Sequence, residues 1–363
     1  MRNHACFMLF VKVALGMGIL VGVWEAQLDY DYYKSSCPDV ENTVRKAVLG
    51  VILTDPTAPA AFLRLLFHLP SPGIPLFWSQ AMLEGCDASI LLDSKPAKGN
   101  SEMASGMNLG IRRLETIHSI KEKLEAKCPG QVSCADIVAL AAKVSVALSG
   151  GPDIQIPLGR KDSTTSSRQA ADVKIPPSNV TVDTLLDIFK SKSLNLEESV
   201  AIMGNYLNQS ANPRVYICPY NRNLKSFSFV TGAHTLGGGH CLNIVDRLFD
   251  RQPDDQINPG FGVILRLLCP TKTPLTNLTV VPNDKTPLCF DNQYYRDVLL
   301  GNGLFTIDSR ISTDQRTAPI VRQFAADSRR FFRVFTSAFV KLSSSNVLTN
   351  EEGQVRRKCN QVN

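Results

Sequence analysis

The chain has 363 residues, of which 44% are apolar and 20% are charged, and its formal net charge at pH 7 is +6. This composition is that of a globular protein with an ample core, and it excludes a disordered or fibrous chain. The positive charge is mild and spread out, with one short basic run at 356–358. It indicates no nucleic-acid patch and supports at most an attraction to acidic polysaccharide.

The first 26 residues have the pattern of a secretory signal peptide. Arg2 and Lys12 are the only charged residues before Glu25, and the apolar segment over 13–24 is too short to span a bilayer. Small residues precede the expected cleavage after Ala26; an uncleaved anchor is the alternative. No later segment is long and apolar enough to cross a membrane, so we expect an exported chain.

Export makes the cysteines a candidate disulfide set. Ten are present, and nine remain once Cys6 leaves with the signal, so at least one is unpaired. Three Asn-X-Ser/Thr glycosylation acceptors, at Asn179, Asn208 and Asn277, fit the same compartment.

Apolar residues recur at helical spacing along most of the mature chain. The pattern predicts α-helices over 44–52, 60–68, 109–127, 134–148, 182–190, 197–203, 293–300 and 319–342. Ser133 and Asp136 have the spacing of a capping box at the start of one of them. Residues 158–162 are predicted to be extended, and 163–181 to be rich in loops. The predicted fold class is mainly α with very little β.

The helix over 60–68 combines an apolar sequence with Arg64 and His68. These two residues are four apart and therefore lie on one helix face. A buried Arg needs an anionic partner, and a His one turn away suggests a site where a proton moves beside a stabilised negative charge. The alternative is a partly buried pair at a helix edge.

Four histidines remain in the mature chain, at 68, 118, 234 and 240. His234 lies among small residues, where a large flat ligand could approach closely, whereas His118 has no patterned partner and is interpreted as structural. A haem iron held by one His, opposite a His/Arg pair, activates peroxides. Zinc is a competing interpretation, but no Cys-x-x-Cys or His-x-x-x-His spacing supports it. A Ser/His/Asp hydrolase lacks its Gly-x-Ser-x-Gly turn.

Two loops carry oxygen donors suited to a hard cation such as calcium. Asp87 and Ser89 stand two apart beside a glycine, and a second cluster occupies residues 284–292. For the Asp87 loop, an ordinary polar turn is the alternative interpretation.

The sequence resembles the secreted class III plant haem peroxidases over nearly all of residues 27–363. The motifs that carry the resemblance are Arg-Leu-Leu-Phe-His at 64–68, Gly-Cys-Asp-Ala-Ser at 85–89, Cys-Pro-Gly at 128–130 with Val-Ser-Cys-Ala-Asp at 132–136, Leu-Gly-Arg-Lys-Asp at 158–162, Gly-Ala-His-Thr at 232–235 and Phe-Asp-Asn-Gln-Tyr-Tyr at 290–295. The resemblance implies haem b between two helical halves. The distal half covers 27–170, and the proximal half covers 171–363 with a C-terminal segment tied back by a disulfide.

The resemblance also implies the catalytic residues. On the distal side, His68 would move a proton between the peroxide oxygens, Arg64 would stabilise the charge that builds as the O–O bond breaks, and Asn108, with Glu102 behind it, would fix the tautomer of His68. On the proximal side, His234 would ligate the iron and Asp308 would accept its other ring N–H. Pro176 would lie where reducing aromatics dock.

The family binds two calcium ions and has conserved disulfides. The proximal calcium site maps to Thr235, Asn283, Thr286, Asp291 and the carbonyl of Cys289; the family usually has Asp where Asn283 stands, although Asp284 is adjacent. The distal site maps to Gly85, Asp87 and Ser89. The implied disulfides are Cys37–Cys128, Cys134–Cys359 and Cys241–Cys269.

Two segments depart from the family pattern. Residues 69–84 stand where the family has an Asp calcium ligand and the Cys that pairs with Cys86, so the distal calcium site is incomplete. Residues 205–232 separate Gly204 from the Ala-His-Thr motif and bring the extra Cys218. Both segments lack pattern and interrupt a motif at a catalytic His, and our hypothesis is that they are intron-derived.

The expected activity is therefore that of a haem peroxidase. It would reduce hydrogen peroxide and oxidise phenolic or similar small reductants in one-electron steps. The expected protein is a monomer secreted to the extracellular space or cell wall, with the vacuole as the alternative destination and cell-wall polysaccharide as a further candidate partner. The alternative is a catalytically impaired secreted glycoprotein, or a mis-predicted, intron-retaining product without a working haem pocket.

Overall fold

The computed structural model describes residues 28–67, 86–93, 101–108, 110–175, 179–203, 234–250, 255–273 and 279–363. Within these ranges thirteen α-helices occur: Val40–Thr54 (α1), Ala58–Phe67 (α2), Leu114–Lys127 (α3), Cys134–Leu148 (α4), Arg168–Lys174 (α5), Val182–Ser191 (α6), Leu196–Ala201 (α7), Val245–Phe249 (α8), Pro259–Leu268 (α9), Gln293–Leu299 (α10), Thr306–Thr313 (α11), Ala318–Ala326 (α12) and Ser328–Ser344 (α13). Two strands, Gly238–His240 (β1) and Val280–Pro282 (β2), pair antiparallel, with Gly238 opposite Pro282. The predicted mainly α class is confirmed.

Helix α4 begins and ends where the sequence predicts, and its N-terminus shows why. Ser133 Oγ accepts a hydrogen bond from the Asp136 amide at 3.1 Å. The reciprocal half of the predicted capping box is absent, because the Asp136 carboxylate forms a fully buried ion pair with Arg160 at 2.8 Å. The same carboxylate accepts a hydrogen bond from the Tyr33 hydroxyl at 2.7 Å, so it joins the N-terminal segment to α4.

Three predicted elements differ from the structure. Helix α3 begins at Leu114 instead of 109, because Arg113 has a left-handed backbone with φ of 73°. The predicted helix over 319–342 is two helices separated at Asp327, whose side chain accepts a hydrogen bond from the Arg330 amide and so starts α13. Helix α5 lies in a segment whose sequence pattern predicts loop.

The core is continuous, and α4 is central to it. Helices α1 and α2 pack on α4, which exposes almost none of its side chains. In the second half, an aromatic cluster of Tyr295, Phe324, Phe331 and Phe335 joins α10, α12 and α13. No helix in the part of the chain that the structure describes could cross a membrane.

The C-terminal segment folds back onto the first half of the chain. Disulfides join Cys134 to Cys359, Cys37 to Cys128, and Cys241 to Cys269. The fully buried Arg356 donates hydrogen bonds from Nη2 to the Ala88 carbonyl at 2.6 Å and from its amide to Asp162 Oδ2 at 2.9 Å. The segment therefore holds the loop around Ala88.

Two further cysteines lie in the described residues. Cys86 is a free, buried thiol, and burial raises its pKa to about 11. Cys289 belongs to a disulfide. Residues 1–27, the two unpatterned segments at 69–84 and 205–232, and the acceptors Asn208 and Asn277 lie outside the described residues.

Asp55 joins the start of α2 to the loop before α3, and its carboxyl makes the free energy of unfolding depend on pH. Burial alone would raise the pKa of this carboxyl, but hydrogen bonds from Thr57, Arg113 and Arg112 lower it from 3.8 to about 2. A carboxyl whose pKa is lower in the folded state stabilises the protein above its unfolded pKa, and this contribution disappears as the pH falls from about 4 to 2.

We predict that Asp55→Asn lowers the free energy of unfolding by about 1–2 kcal/mol at pH 7, after allowance for partial solvent screening. The difference from the unsubstituted protein should vanish near pH 2. Denaturant titrations at both pH values measure this change. Asp31→Asn is the control, because it removes an exposed ion pair to Lys34 and should change the stability by at most ~0.5 kcal/mol. A D55N loss that does not depend on pH would contradict the prediction.

Candidate functional site

His234 and Asp308 form the centre of the site. His234 Nδ1 lies 2.6 Å from Asp308 Oδ1, and the Asp308 side chain is 1% exposed whereas that of His234 is 26% exposed. A carboxylate accepts hydrogen bonds, so Nδ1 carries a proton, and in the neutral ring Nε2 is then a lone-pair donor. In the described residues Nε2 has no hydrogen-bond partner. The ring is thus fixed on one side and available to a metal on the other.

Burial alone would raise the pKa of the Asp308 carboxyl. The attraction of His234 and hydrogen bonds from His234, the Phe305 amide and the Tyr294 hydroxyl outweigh it and lower the pKa. Asp308 therefore stays ionised and remains an acceptor for the His234 ring.

The start of α11 positions Asp308. Asp308 Oδ2 accepts a hydrogen bond from the Phe305 amide at 2.7 Å, which closes the first turn of the helix. Gly303 makes room for it, because a Cβ at Gly303 would lie 2.6 Å from the Asp308 Cβ.

The loop before the helix is held by Arg247, which donates to the Leu304 carbonyl at 2.8 Å and pairs with buried Asp255 at 2.7 Å. Sequence reasoning missed Arg247, because an isolated Arg carries no local signal of its partners.

Aromatic rings fix the orientation of His234. The Phe305 ring lies with its centroid 4.8 Å away, and the Tyr294 ring contacts His234 edge-on at 5.7 Å. Gly239 in β1 allows the Phe305 ring to reach this place, since a Cβ at Gly239 would lie 2.7 Å from Phe305 Cζ. The His234 amide also donates to the Met203 carbonyl at 2.8 Å.

Arg64 lies in α2 and is almost completely buried. Its Nη2 donates to the Met107 carbonyl at 3.3 Å, and burial lowers its pKa to about 10, so it remains a cation at neutral pH. Asn108 follows Met107 and donates from Nδ2 to the Glu102 carbonyl at 2.7 Å. The structure thus places Arg64 beside the turn that carries Asn108. His68 and Pro176 lie outside the described residues.

Helix α5 supports the segment that carries Asn108. Asp172 Oδ1 accepts a hydrogen bond from Ser105 Oγ at 2.6 Å, and the Glu102 amide donates to Ser166 Oγ at 3.0 Å. The Met107 amide in turn donates to Ser105 Oγ at 3.1 Å. Sequence reasoning missed this helix; the signal that could have found it is Ser167, which caps the helix by accepting from the Ala170 amide.

A cluster of oxygen atoms lies next to His234 in the chain. Thr235 Oγ1 is 3.0 Å from Asp284 Oδ2 and 3.0 Å from the Asp291 carbonyl, and Thr286 Oγ1 donates to Asp291 Oδ1 at 2.7 Å. Burial and then the Asp291 charge raise the pKa of Asp284 well above its usual value, and burial raises that of Asp291 to about 6. Two buried carboxylates and two hydroxyls form a donor set that fits calcium, which would relieve their repulsion.

Asp284 and Asn283 have different surroundings in this cluster. The Asp284 carboxylate also accepts from the Thr286 amide at 2.7 Å. Asn283 is 2% exposed, and neither atom of its side-chain amide has a hydrogen-bond partner in the described residues. The carboxylate that reaches Thr235 therefore belongs to Asp284.

The second oxygen-rich loop is partly described. Asp87 is fully buried, and its Oδ1 accepts from the Ser89 amide at 3.0 Å. Ala88, between them, has a left-handed backbone with φ of 56°. Gly85 lies outside the described residues. Across the described ranges, no group of three or more His, Cys, Asp or Glu side chains is placed to hold a metal ion.

Several known proteins are similar to this chain over most of its length. A sequence profile of a family described as Peroxidase matches residues 40–327. Peroxidase 29 of Arabidopsis thaliana is 43% identical, and the match covers 92% of this chain and 89% of that protein. Peroxidase 21 of Arabidopsis thaliana is 32% identical, with 99% and 98% covered. Cationic peroxidase SPC4 of Sorghum bicolor is 35% identical, with 93% and 82% covered. The matched region includes Arg64, His234 and Asp308.

Proposed function

This chain belongs to the class III plant haem peroxidases, and from that membership we propose that it holds haem b through His234. As a peroxidase it is an oxidoreductase that uses hydrogen peroxide, and its family implies haem and calcium as cofactors. The observation that carries the proposal is the 2.6 Å contact between His234 Nδ1 and Asp308, which fixes the ring and leaves Nε2 for the iron.

Bound haem supplies the redox chemistry, namely acceptance of two oxidising equivalents from hydrogen peroxide and their release in one-electron steps. The residues of the chain do the rest. Asp308 accepts a hydrogen bond from the Nδ1–H group of His234 and makes Nε2 of that ring a stronger electron donor. Arg64, a buried cation, stabilises negative charge that develops on the peroxide as its O–O bond breaks.

We assign proton transfer to His68, which follows Arg64 by four residues in the sequence. It would take a proton from one peroxide oxygen and deliver it to the other. Asn108 would keep the His68 ring in the tautomer that accepts the proton. The hydrogen bond from Asn108 Nδ2 to the Glu102 carbonyl supports this assignment, because it orients the Asn108 amide.

The proposed reductants are phenolic or similar small aromatics that dock near Pro176. We further propose that the chain acts as a monomer, secreted to the extracellular space or cell wall, with 1–26 removed. The glycosylation acceptor Asn179 is exposed, which suits that location. Cell-wall polysaccharide is a further partner that the net charge of +6 would favour.

For calcium, we propose that Asp284 supplies the carboxylate that the family usually has at the position of Asn283. The other proximal ligands are Thr235, Thr286, Asp291 and the Cys289 carbonyl, which lies 3.5 Å from Thr235 Oγ1. The contacts of Asp284 with Thr235 and Thr286 support this choice. The distal site at Gly85, Asp87 and Ser89 is expected to bind calcium more weakly, because the family's further Asp is missing.

We predict that Asp284→Asn weakens calcium binding by at least about tenfold, because affinity depends on the number of charged ligands. Calcium content after dialysis, measured by atomic absorption, tests this. Asn283→Ala is the matched control, since it removes an adjacent side chain that has no partner among the described residues, and it should keep its calcium. Retention of calcium by D284N together with its loss from N283A would assign the ligand to Asn283 instead.

The experiment that tests the proposed function is an absorption spectrum of the purified full chain, with and without hydrogen peroxide. We expect a haem Soret band that changes on addition of peroxide and returns when a phenol is added. The absence of a haem band, or a band that peroxide does not change, would contradict the proposal and favour the catalytically impaired glycoprotein.

A further inference from the structure

Tyr294, which belongs to the motif at 290–295, completes the hydrogen bonding of the site through its hydroxyl. Its hydroxyl donates to Asp308 Oδ1 at 2.8 Å, and the same oxygen accepts from His234 Nδ1 at 2.6 Å. The other oxygen, Oδ2, accepts from the Phe305 amide. Tyr294 is 1% exposed, so the contact is shielded from bulk solvent.

We propose that Tyr294 is a positioning residue that sets the strength of the hydrogen bond from His234 Nδ1 to Asp308. The inference rests on the proposed ligation of haem by His234 and adds a third member to that pair. An oxygen that accepts two hydrogen bonds shares its electron density between them, so each donor is bound less strongly than it would be alone. The Tyr294 hydroxyl therefore limits the pull of Asp308 on the Nδ1–H bond.

The strength of this hydrogen bond affects how well the His234 ring donates electrons to the iron. A stronger pull on Nδ1–H makes the imidazole more like an imidazolate, and such a ligand favours ferric over ferrous iron. Because Tyr294 weakens that pull, its presence raises the ferric/ferrous reduction potential. Its ring also contacts the edge of His234, so the hydroxyl cannot leave Asp308 without moving a packed ring.

The neighbouring Tyr295 provides a matched control within the chain. It is fully buried, like Tyr294, and the two rings contact each other with centroids 5.1 Å apart. Its hydroxyl donates to the Val200 carbonyl at 2.7 Å. Tyr295→Phe thus removes a buried hydroxyl of the same kind whose 2.7 Å bond goes to the backbone instead of the Asp308 carboxylate.

The test measures the reduction potential of the haem-loaded protein and the Fe–His stretching frequency of its ferrous form. For Tyr294→Phe we expect a shift of the ferric/ferrous equilibrium by roughly threefold toward ferric, about 28 mV at 59 mV per tenfold for one electron. The stretching frequency should rise. Tyr295→Phe should leave both values unchanged. Equal shifts in the two variants, or no shift in Y294F, would overturn the inference.

Two further variants keep the inference testable. On an Asp308→Asn background, Tyr294→Phe should add no further shift, because Tyr294 acts through the Asp308 carboxylate. If Y294F folds poorly, 3-fluorotyrosine at position 294 can replace it, because it keeps the volume of the ring and makes the hydroxyl a stronger hydrogen-bond donor. This replacement should raise the reduction potential, which is the opposite of the Y294F shift. A lower or unchanged potential would overturn the inference. Failure of the unsubstituted chain to bind haem through His234 would instead refute the proposed function.

Discussion

Replacement of His234 by alanine should remove the Soret band of the purified protein and lower peroxidase turnover by more than about 10²-fold. The magnitude follows from the role of the residue, since the loss of groups that merely support a metal ligand typically costs 10–100-fold. The contact with Asp308 would also be lost, which leaves a fully buried carboxylate with two of its three donors. Haem content per mole of protein and the rate of phenol oxidation measure the two effects.

His118→Ala is the control for this prediction. His118 lies in α3 and has no role in the proposed site, and burial lowers the pKa of its imidazole. We expect it to keep haem and activity. If H234A retained a normal Soret band, the iron ligand would have to be another residue, and the assignment of the proximal side would be wrong.

The joint replacement of Cys134 and Cys359 by alanine is expected to cause the largest loss of stability. The disulfide spans 225 residues, and in the chain-entropy model a loop of that length corresponds to about 5 kcal/mol. This is a large share of a total near 5–15 kcal/mol. The free energy of unfolding from denaturant titration measures the loss, and the C-terminal segment that holds Ala88 through Arg356 should become accessible to protease.

The matched control is the joint replacement of Cys241 and Cys269, a pair that is also buried but spans only 28 residues. The same model gives about 3.5 kcal/mol for this loop, roughly 2 kcal/mol less. Equal losses from the two pairs would show that the effect comes from local packing and not from the length of the closed loop.

Sequence reasoning was most successful where local signals determine the structure. Helix α4 has an apolar pattern and a Ser133 cap, and both its ends match the prediction. It failed where a single backbone torsion or a distant contact determines where a helix begins or ends. The left-handed Arg113 delays α3, and Asp327 divides one predicted helix into α12 and α13. Neither residue departs from the helical pattern strongly enough to show the break.

At the calcium cluster, too, the sequence pattern does not distinguish between two neighbouring residues. Asn283 and Asp284 are adjacent, and periodicity does not indicate which of them faces Thr235. The strand pairing decides it: the Asn283 amide donates to the Gly237 carbonyl at 3.1 Å, and the Gly237 amide donates to the Pro287 carbonyl at 2.7 Å. This register is set between segments about 45 residues apart, so it could only be found in the structure.

The covalent tie between Cys134 and Cys359 also constrains the order of events during synthesis. At 5–20 residues per second, roughly 10–45 s pass between the emergence of these two cysteines. Throughout that interval Cys134 has no native partner, whereas Cys37 and Cys128 are already available to each other and to it. The distal half therefore cannot form this disulfide until Cys359 has emerged, and an oxidoreductase that corrects early pairings with Cys134 should raise the yield of correctly folded protein.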